Sequence, residues 1–373
     1  MQEAEAIGLQ EYGARHPSLA QIYHHKGMIH QFKGEYDHAL QFYTKSLSIR
    51  LETLGENHSA VGKLYHDIGE IHLIKAKFDQ AEAYYQKALK ISASNFGQDH
   101  FTAALTYGAM GNLARLKGKY QQGLEFCNKA LAIFSVKMDE FLLEIASCHD
   151  NIGNLQIKMS DYVAANKSFE KALAIKRSIF DEASPLIARS LGNMAAADGE
   201  RGNYKQAIEK CFKAQAIYKK FYGEHHPYHA ILYNTLAIAF HSNSDLSSAL
   251  AYYDKALQLN RRTFGENHYA VAANYNNLGL IHYHLGDADK ALEFYDKALS
   301  IKIGMAGKDS PELMVFYNNM GNIHAYNGDY EQALEFYYKT LALAHKSSLE
   351  KSRAYALLNI GMIHIYKGHY DAA

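Results

Sequence analysis

The chain repeats itself with a period of 42 residues, which restricts it to folds that stack one small unit many times. The first complete repeat begins at His16, and counting on in steps of 42 reaches seven further segments of the same pattern. A last repeat begins at Glu350, two residues early. The four prolines of the chain all occupy the second position of a repeat, at Pro17, Pro185, Pro227 and Pro311. Chance does not produce this alignment.

The period also divides the chain into three parts. Residues 1–15 match the second half of a preceding repeat, residues 16–349 contain eight complete repeats, and residues 350–373 begin a ninth. Repeat arrays normally end in a polar capping element, and neither end of this sequence contains one. We therefore expect the chain to be a fragment of a longer array or of a larger protein.

Each repeat contains the pattern of two amphipathic helices separated by a glycine. In the seventh repeat, Val271, Tyr275 and Leu278 lie three or four residues apart, which predicts one apolar face of a first helix. Gly286 ends that helix, and the same spacing over residues 291–301 predicts a second. One such pair cannot bury its own apolar stripe. The pairs must therefore stack into an all-α solenoid.

The segment NNLGLIHYHLGDADKALEFYDKAL (Asn276–Leu299) resembles the tetratricopeptide repeat. The 42-residue length and the FGENH connector are similar to those of the kinesin-light-chain subclass, and the short junction before Glu350 is similar to that of LGN-type adaptors. The resemblance covers essentially the whole chain. It implies a right-handed superhelix of stacked helix-turn-helix units.

Charge and hydropathy argue against several classes of function. Lys+Arg and Asp+Glu both number 39, and this balance argues against a nucleic-acid partner. No apolar run is long enough to insert into a membrane, and the N-terminus has no signal-peptide pattern. We expect a cytoplasmic protein. Its three cysteines have no paired spacing and are interpreted as reduced, buried structural thiols, at Cys127, Cys148 and Cys211.

The segment LIHYHLGD (Leu280–Asp287) looks at first like a metal site. His282 and His284, however, point about 200° apart around a helix, and counterparts of His282 recur one repeat, or about 8–10 Å, apart. Ligands of one zinc ion converge to about 2 Å, so we interpret His282 as packed between helices and expect no metal or cofactor. EHHPYH (Glu224–His229) is a weaker metal candidate. The connector histidines are interpreted as turn formers, at His16, His58, His100, His226 and His268.

The asparagines indicate where a partner binds. They lie beside the buried stripe of the first helices, on the face that lines the groove in tetratricopeptide arrays. Asparagine is a poor helix former, and its carboxamide can both donate to and accept from the backbone of an extended peptide. The kinesin-light-chain resemblance implies that such a ladder contacts cargo peptides. The predicted groove residues are Asn151, Asn154, Asn193, Asn234, Asn276, Asn277, Asn318, Asn319, Asn322 and Asn359, flanked by Tyr283, His284 and Tyr326.

Two questions about this ladder and the fifth repeat remain open at the level of sequence. The amides could instead bond neighbouring helices or water. In the fifth repeat, Gly192–Asn203 has alanines and an aspartate where other repeats have larger side chains. This segment could be a hinge, a ligand pocket or the result of neutral drift.

The sequence has none of the common catalytic motifs: no P-loop, no dinucleotide fingerprint and no nucleophile elbow. We therefore expect a non-catalytic scaffold or adaptor that binds a peptide or helix of a partner protein in its concave groove. Two alternatives stay open. The chain could be the regulatory arm of a larger signalling NTPase or protease, or a scaffold that self-associates through uncapped ends.

Overall fold

The computed structural model describes residues 16–347 and 349–369. It confirms an all-α fold, and no β-strand occurs in the described part of the chain. The predictions for residues 1–15 and for the last four residues lie outside the described residues. Two 3₁₀ turns, Met138–Glu140 and Pro311–Leu313, each precede an α-helix. The helices of the described residues are α1 Pro17–Phe32, α2 Tyr36–Leu54, α3 Ser59–Ile74, α4 Phe78–Phe96, α5 Phe101–Leu116, α6 Tyr120–Ser135, α7 Leu142–Lys158, α8 Tyr162–Ile179, α9 Pro185–Glu200, α10 Tyr204–Tyr222, α11 Tyr228–Ser242, α12 Leu246–Phe264, α13 Tyr269–His284, α14 Ala288–Ala306, α15 Met314–Asn327, α16 Tyr330–Lys346 and α17 Glu350–Tyr366.

The chain forms two compact units, Met1–Thr235 and Leu236–Ala373. In the first unit, each odd-numbered helix packs against the even-numbered helix that follows it, and each pair packs against the next pair. The second unit repeats this arrangement from α13 onward. Each unit is therefore a stack of helix pairs in chain order, in which neighbouring repeats share one apolar core.

A glycine in the first helix of most pairs lets the second helix approach closely. A Cβ atom on Gly69 would lie 2.6 Å from the ring of Tyr85, and one on Gly321 would lie 2.6 Å from Tyr337. The ring of Tyr85 is completely buried. Because no larger residue fits, the helix spacing depends on this glycine. The same contact recurs between Gly27 and Tyr43, between Gly153 and Phe169, and between Gly279 and Tyr295.

The turn inside each pair requires one residue with a left-handed backbone. Six of the nine turns use glycine, as at Gly118 with a φ of 74° and at Gly286 with a φ of 80°. The other three place Ala76, Ser160 and Ser244 at φ values of 58°, 62° and 63°. A side chain in this conformation costs about 1–2 kcal/mol. These three turns are therefore strained, and the surrounding packing offsets the cost.

The histidines that suggested a metal site pack against aromatic rings. His282 stacks on Phe294 with ring centroids 5.3 Å apart, and His72 stacks on Tyr84 at 5.2 Å. In each case the partner lies 12 residues further on, in the second helix of the same pair. The stacking confirms that this histidine position is part of the core.

The connector histidines begin the first helices. The Nδ1 atom of His58 accepts a hydrogen bond from the backbone N–H of Ala60, and His268 does the same for Ala270. These bonds satisfy amide groups that have no partner inside the helix. The structure thus confirms that these histidines form the turns between repeats.

The fifth repeat fills its interior with small side chains and an ion pair. Ala195 and Ala197 are fully buried, and Ala197 packs beside Phe169 of the fourth repeat. Asp198, which is 3% exposed, pairs with Lys210 of the following helix. The ion pair occupies the position where other repeats stack a histidine, so this segment is a packed part of the first unit.

Replacing the three strained residues with glycine should stabilise the protein. For Ala76→Gly, Ser160→Gly and Ser244→Gly we expect the free energy of unfolding to rise by about 0.5–1 kcal/mol each, because glycine adopts the left-handed conformation freely but loses more chain entropy on folding. Urea denaturation measures the change. Ala83→Gly, at an exposed position within α4, is the control and should lower stability by about 1 kcal/mol. If all four substitutions lowered the free energy of unfolding, the three turn residues would not be strained.

Candidate functional site

In the first unit, the first helices of five successive repeats line one open cavity of about 570 Å³. Helices α3, α5, α7 and α9 form most of its surface, and α11 contributes Ile231, whose side chain is exposed. Three of the predicted ladder residues line this cavity. They are Asn151, Asn154 and Asn193, and Asn112 of α5 lies with them.

The second unit has a similar cavity of about 760 Å³, lined mainly by α13, α15 and α17. Five predicted ladder residues line it: Asn276, Asn277, Asn318, Asn322 and Asn359. Asparagines from three successive repeats therefore converge on one cavity in each unit. We call these cavities groove 1, in the first unit, and groove 2, in the second.

Several amides of groove 2 already bond to one another or to the second helices. The Nδ2 atom of Asn359 donates to Oδ1 of Asn318 over 2.8 Å, which links the ninth repeat to the eighth. The Asn322 Oδ1 atom accepts from the hydroxyl of Tyr337 at 2.8 Å. These bonds orient the carboxamides, and each still has polar capacity left for a ligand.

Other amides are less fully bonded. The Nδ2 atom of Asn151 reaches the carbonyl oxygen of Gly108 in the preceding repeat at 3.4 Å, a long hydrogen bond. The Oδ1 atom of Asn276 is buried and has no hydrogen-bond partner within the described chain. A buried acceptor without a partner costs about 1–3 kcal/mol, so a donor from a ligand would be favourable there.

Five predicted groove residues do not line either groove. Tyr326 is 78% exposed, and Tyr283 packs edge-on to it with centroids 6.2 Å apart. His284 is the last residue of α13, beyond the part of that helix that faces groove 2. Asn234 and Asn319 also lie outside the two linings. Helical phase predicted these residues near the groove, and they stay predictions.

A smaller apolar pocket of about 350 Å³ opens beside groove 1. His66 and Leu105 line both cavities, and Phe96 and Phe101 form an aromatic wall of the pocket. The pocket was missed from the sequence because its residues do not recur in every repeat. The two phenylalanines that flank the connector of the third repeat were the signal for it.

A buried ion pair lies next to the lining of groove 1. The Lys176 Nζ atom lies 2.6 Å from Asp150 and 2.7 Å from the hydroxyl of Ser190. Lys176 is 1% exposed, and its burial lowers the pKa of the ammonium group to about 8. Arg189 lies 3.4 Å from the same carboxylate and lines the groove together with Asp150. The cluster joins α7, α8 and α9.

Sequence reasoning also missed this cluster, although its position in the repeat was a signal. Two repeats further on, Asn260 and Asn274 occupy the positions of Lys176 and Ser190. Their side chains form a buried hydrogen bond of 2.7 Å. A polar pair thus links a second helix to the following first helix in both units.

The three cysteines are buried, as expected. Burial raises the pKa of Cys127, Cys148 and Cys211 to about 12, so their thiols stay protonated at neutral pH. Such thiols are weak nucleophiles and weak metal ligands.

Among the described residues, one group of three side chains brings possible metal-ligating atoms within 4.8 Å of one another: His30, Glu35 and His38. The Nδ1 atom of His30 lies 2.5 Å from Glu35, and the corresponding His282 lies 3.6 Å from Asp287. The first pairing thus belongs to the turn structure of the repeats. The candidate Glu224–His229 is not such a group, because His226 and His229 bond to backbone carbonyl oxygens.

The comparisons with known proteins agree with this geometry. A family model for the tetratricopeptide repeat matches residues 18–94, 101–178, 186–259, 243–303 and 312–373. The chain belongs to the tetratricopeptide repeat family, and it is a repeat scaffold of the protein-interaction type. No curated protein shows a significant sequence match to it. No helix in the described residues is long and apolar enough to cross a membrane.

Three crystal structures match this chain, and the first two illustrate the similarity of fold. A Rap protein complexed with competence and sporulation factor is 16% identical, with a TM-score of 0.60 over 85% of this chain and 95% of that one. BtubC (BKLC) from P. vanneervenii is 21% identical, with a TM-score of 0.52 over 62% of this chain and 92% of that one. The repeats of a putative kinesin light chain from Podosopora anserina are 17% identical, with a TM-score of 0.41 over 56% and 98%.

The buried cluster predicts a coupled effect of mutation. Lys176→Met should lower the free energy of unfolding by about 3–5 kcal/mol, because it leaves the Asp150 carboxylate buried without its main partner. The double variant Asp150→Asn and Lys176→Met removes both charges and should be more stable than the single variant. Chemical denaturation of the four proteins in the cycle measures the coupling. Strictly additive effects would contradict it.

Proposed function

We propose that the grooves bind extended peptide segments of partner proteins and that the asparagine ladder holds the peptide backbone. The observation that carries this proposal is the convergence of asparagines from three successive repeats on one cavity, in each of the two units. The Rap neighbour, which is complexed with a factor, supports a binding role for a scaffold of this kind.

The spacing of the repeats suits an extended ligand. Neighbouring first helices pack about 10 Å apart, and an extended chain advances about 3.3 Å per residue. One repeat therefore corresponds to about three residues of peptide. A carboxamide from each repeat can then bond every third residue of the peptide backbone. A helical ligand would give the amides little to bond, because its backbone groups are already paired within the helix.

The walls of groove 1 indicate what kind of peptide it accepts. The lining of groove 1 contains the acidic Glu70 and Glu144 and the basic Arg115 and Arg189, so the groove is neither strongly acidic nor strongly basic. The apolar pocket walled by Phe96 and Phe101 can accept one large hydrophobic side chain. We therefore propose a ligand of balanced charge that is anchored by one aromatic or aliphatic residue.

A displayed random-peptide library tests this proposal. Panning on the purified chain should recover peptides with one hydrophobic anchor. Asn193→Ala in groove 1 or Asn277→Ala in groove 2 should then weaken binding of the peptide held there by about tenfold, since a hydrogen bond to the ligand contributes about 1–1.5 kcal/mol. Titration calorimetry measures the affinity.

Asn319→Ala is the matched control, because Asn319 occupies the same position as Asn277 one repeat later but does not line groove 2. Its effect on affinity should be small. The ladder hypothesis is wrong if Asn193→Ala and Asn277→Ala both leave the affinity of every recovered peptide unchanged.

A further inference from the structure

Two segments of the first unit that are far apart in sequence touch directly. The Nε2 atom of His226 lies 2.9 Å from the backbone carbonyl oxygen of Phe32, and the ring of Phe32 lies 5.2 Å from that of Tyr222. A Cβ atom on Gly34 would lie 2.7 Å from the ring of Pro227. We call these five residues the clasp. It joins the end of α1 to the connector between α10 and α11.

The clasp differs from the contacts that build the stack. Stacking joins each repeat to its immediate neighbours, whereas the clasp joins the first repeat to the sixth. Among the described glycines with a positive φ, Gly34 alone has another heavy atom within 3 Å of an added Cβ. The first and sixth repeats therefore carry features that the others lack.

The geometry determines how His226 is bonded. Its Nδ1 atom faces the backbone N–H of Tyr228 at 3.3 Å and accepts from it, as the other connector histidines do at their helices. The proton of the neutral ring is therefore on Nε2, which donates to the carbonyl oxygen of Phe32. The ring also stacks on Tyr222 with centroids 4.2 Å apart. One side chain thus begins α11 and fixes it to α1.

The clasp lies beside groove 1. Ile231 lies five residues after His226, in the first turn of α11, and it lines groove 1 together with the asparagines of α7 and α9. By holding the start of α11 against α1, the clasp connects the last helix of the wall of groove 1 to the repeat that precedes its first helix, α3. The contact consists of one hydrogen bond and a few side-chain contacts, so it can open without unfolding any repeat.

From these contacts we infer that the clasp is a gate of groove 1, which opens to admit an extended peptide and slows its release when closed. This inference rests on the proposed peptide binding. In the closed state α11, at one end of the groove wall, is fixed to α1, which precedes α3 at the other end. A bound segment therefore leaves only by sliding lengthwise or after the clasp opens. The rate of exchange should therefore depend on the clasp more strongly than the affinity does.

Two glycine variants separate the gate from general strain. Gly34→Ala and Gly118→Ala place the same methyl group at φ values of 76° and 74°, but only the first meets Pro227, since nothing lies within 4 Å of the second. With a fluorescent peptide recovered by panning and dependent on Asn193, stopped flow should show release and association each accelerated about tenfold in Gly34→Ala. Gly118→Ala should exchange at the wild-type rate. Equal rates in the two variants would overturn the gate.

A disulfide lock tests the clasp independently of these variants. The Cβ atoms of positions 34 and 227 lie 4.0 Å apart, within the range for a disulfide of about 3.5–4.5 Å. In Gly34→Cys with Pro227→Cys, oxidation should form the crosslink, detected by gel mobility. The native thiols are buried and should not compete. Peptide added before oxidation should then be retained, and peptide added afterwards should be excluded, with exchange restored by reduction.

The outcomes distinguish the gate from the proposed function. If the crosslink forms but exchange is the same in the oxidised and reduced proteins, the gate is wrong and peptide binding stands. If oxidation of the folded protein does not form the crosslink, the clasp does not close. If the reduced protein binds no peptide, the proposed function fails together with the gate, while the crosslink still reports the contact.

Discussion

The close approach of the two helices in each pair is the contact on which the rest of the structure depends. It requires a glycine in the first helix and a ring 16 residues later in the second, as in Gly69 with Tyr85. With the pair at this distance, the small residues of the second helix, such as Ala81 and Ala88, are buried against the neighbouring repeat. Burial of the large rings supplies much of the stability, at about 1.5–3 kcal/mol per large side chain. The grooves exist because the first helices are held in a regular row by these contacts.

The 42-residue period of the sequence predicted the structural features that depend on contacts within a repeat or between neighbouring repeats. Helix pairs, turn glycines and histidine caps all recur in phase, so the copies of each signal, six of the turn glycine and five of the histidine cap, support one another. The period also predicted that His282 packs between helices, because the equivalent histidines of other repeats lie too far apart to bind one metal ion. Contacts that occur once were not predictable in this way. The ion pair of Lys176 with Asp150 and the contact of His226 with Phe32 each occur once, although an uncharged polar pair recurs two repeats after Lys176 and Ser190.

The groove residues fall between these two cases. Helical phase predicted a row of asparagines on α7, α13 and α15, and eight of the ten predicted asparagines line a groove. Asn319 does not line groove 2 although it shares the repeat position of Asn277, and the flanking Tyr283 and Tyr326, which lie one turn further along their helices, do not line it either. A position beside the buried stripe is also shared between the groove and the next repeat. This explains why Asn359 bonds to Asn318 while both line groove 2.

The two kinds of contact have different consequences for binding. Nearest-neighbour packing is continuous along each stack, so it fixes the spacing of the amides and hence the register of a bound backbone. A contact between repeats that are not neighbours adds little to that spacing, but it restricts how far the ends of the first unit can separate. In a stack that deforms by small rotations at every interface, one weak bond between its ends constrains all of the interfaces together. We therefore propose that the hydrogen bond of His226 to Phe32 acts mainly on the opening of groove 1, whereas the asparagine ladder would determine what the groove holds.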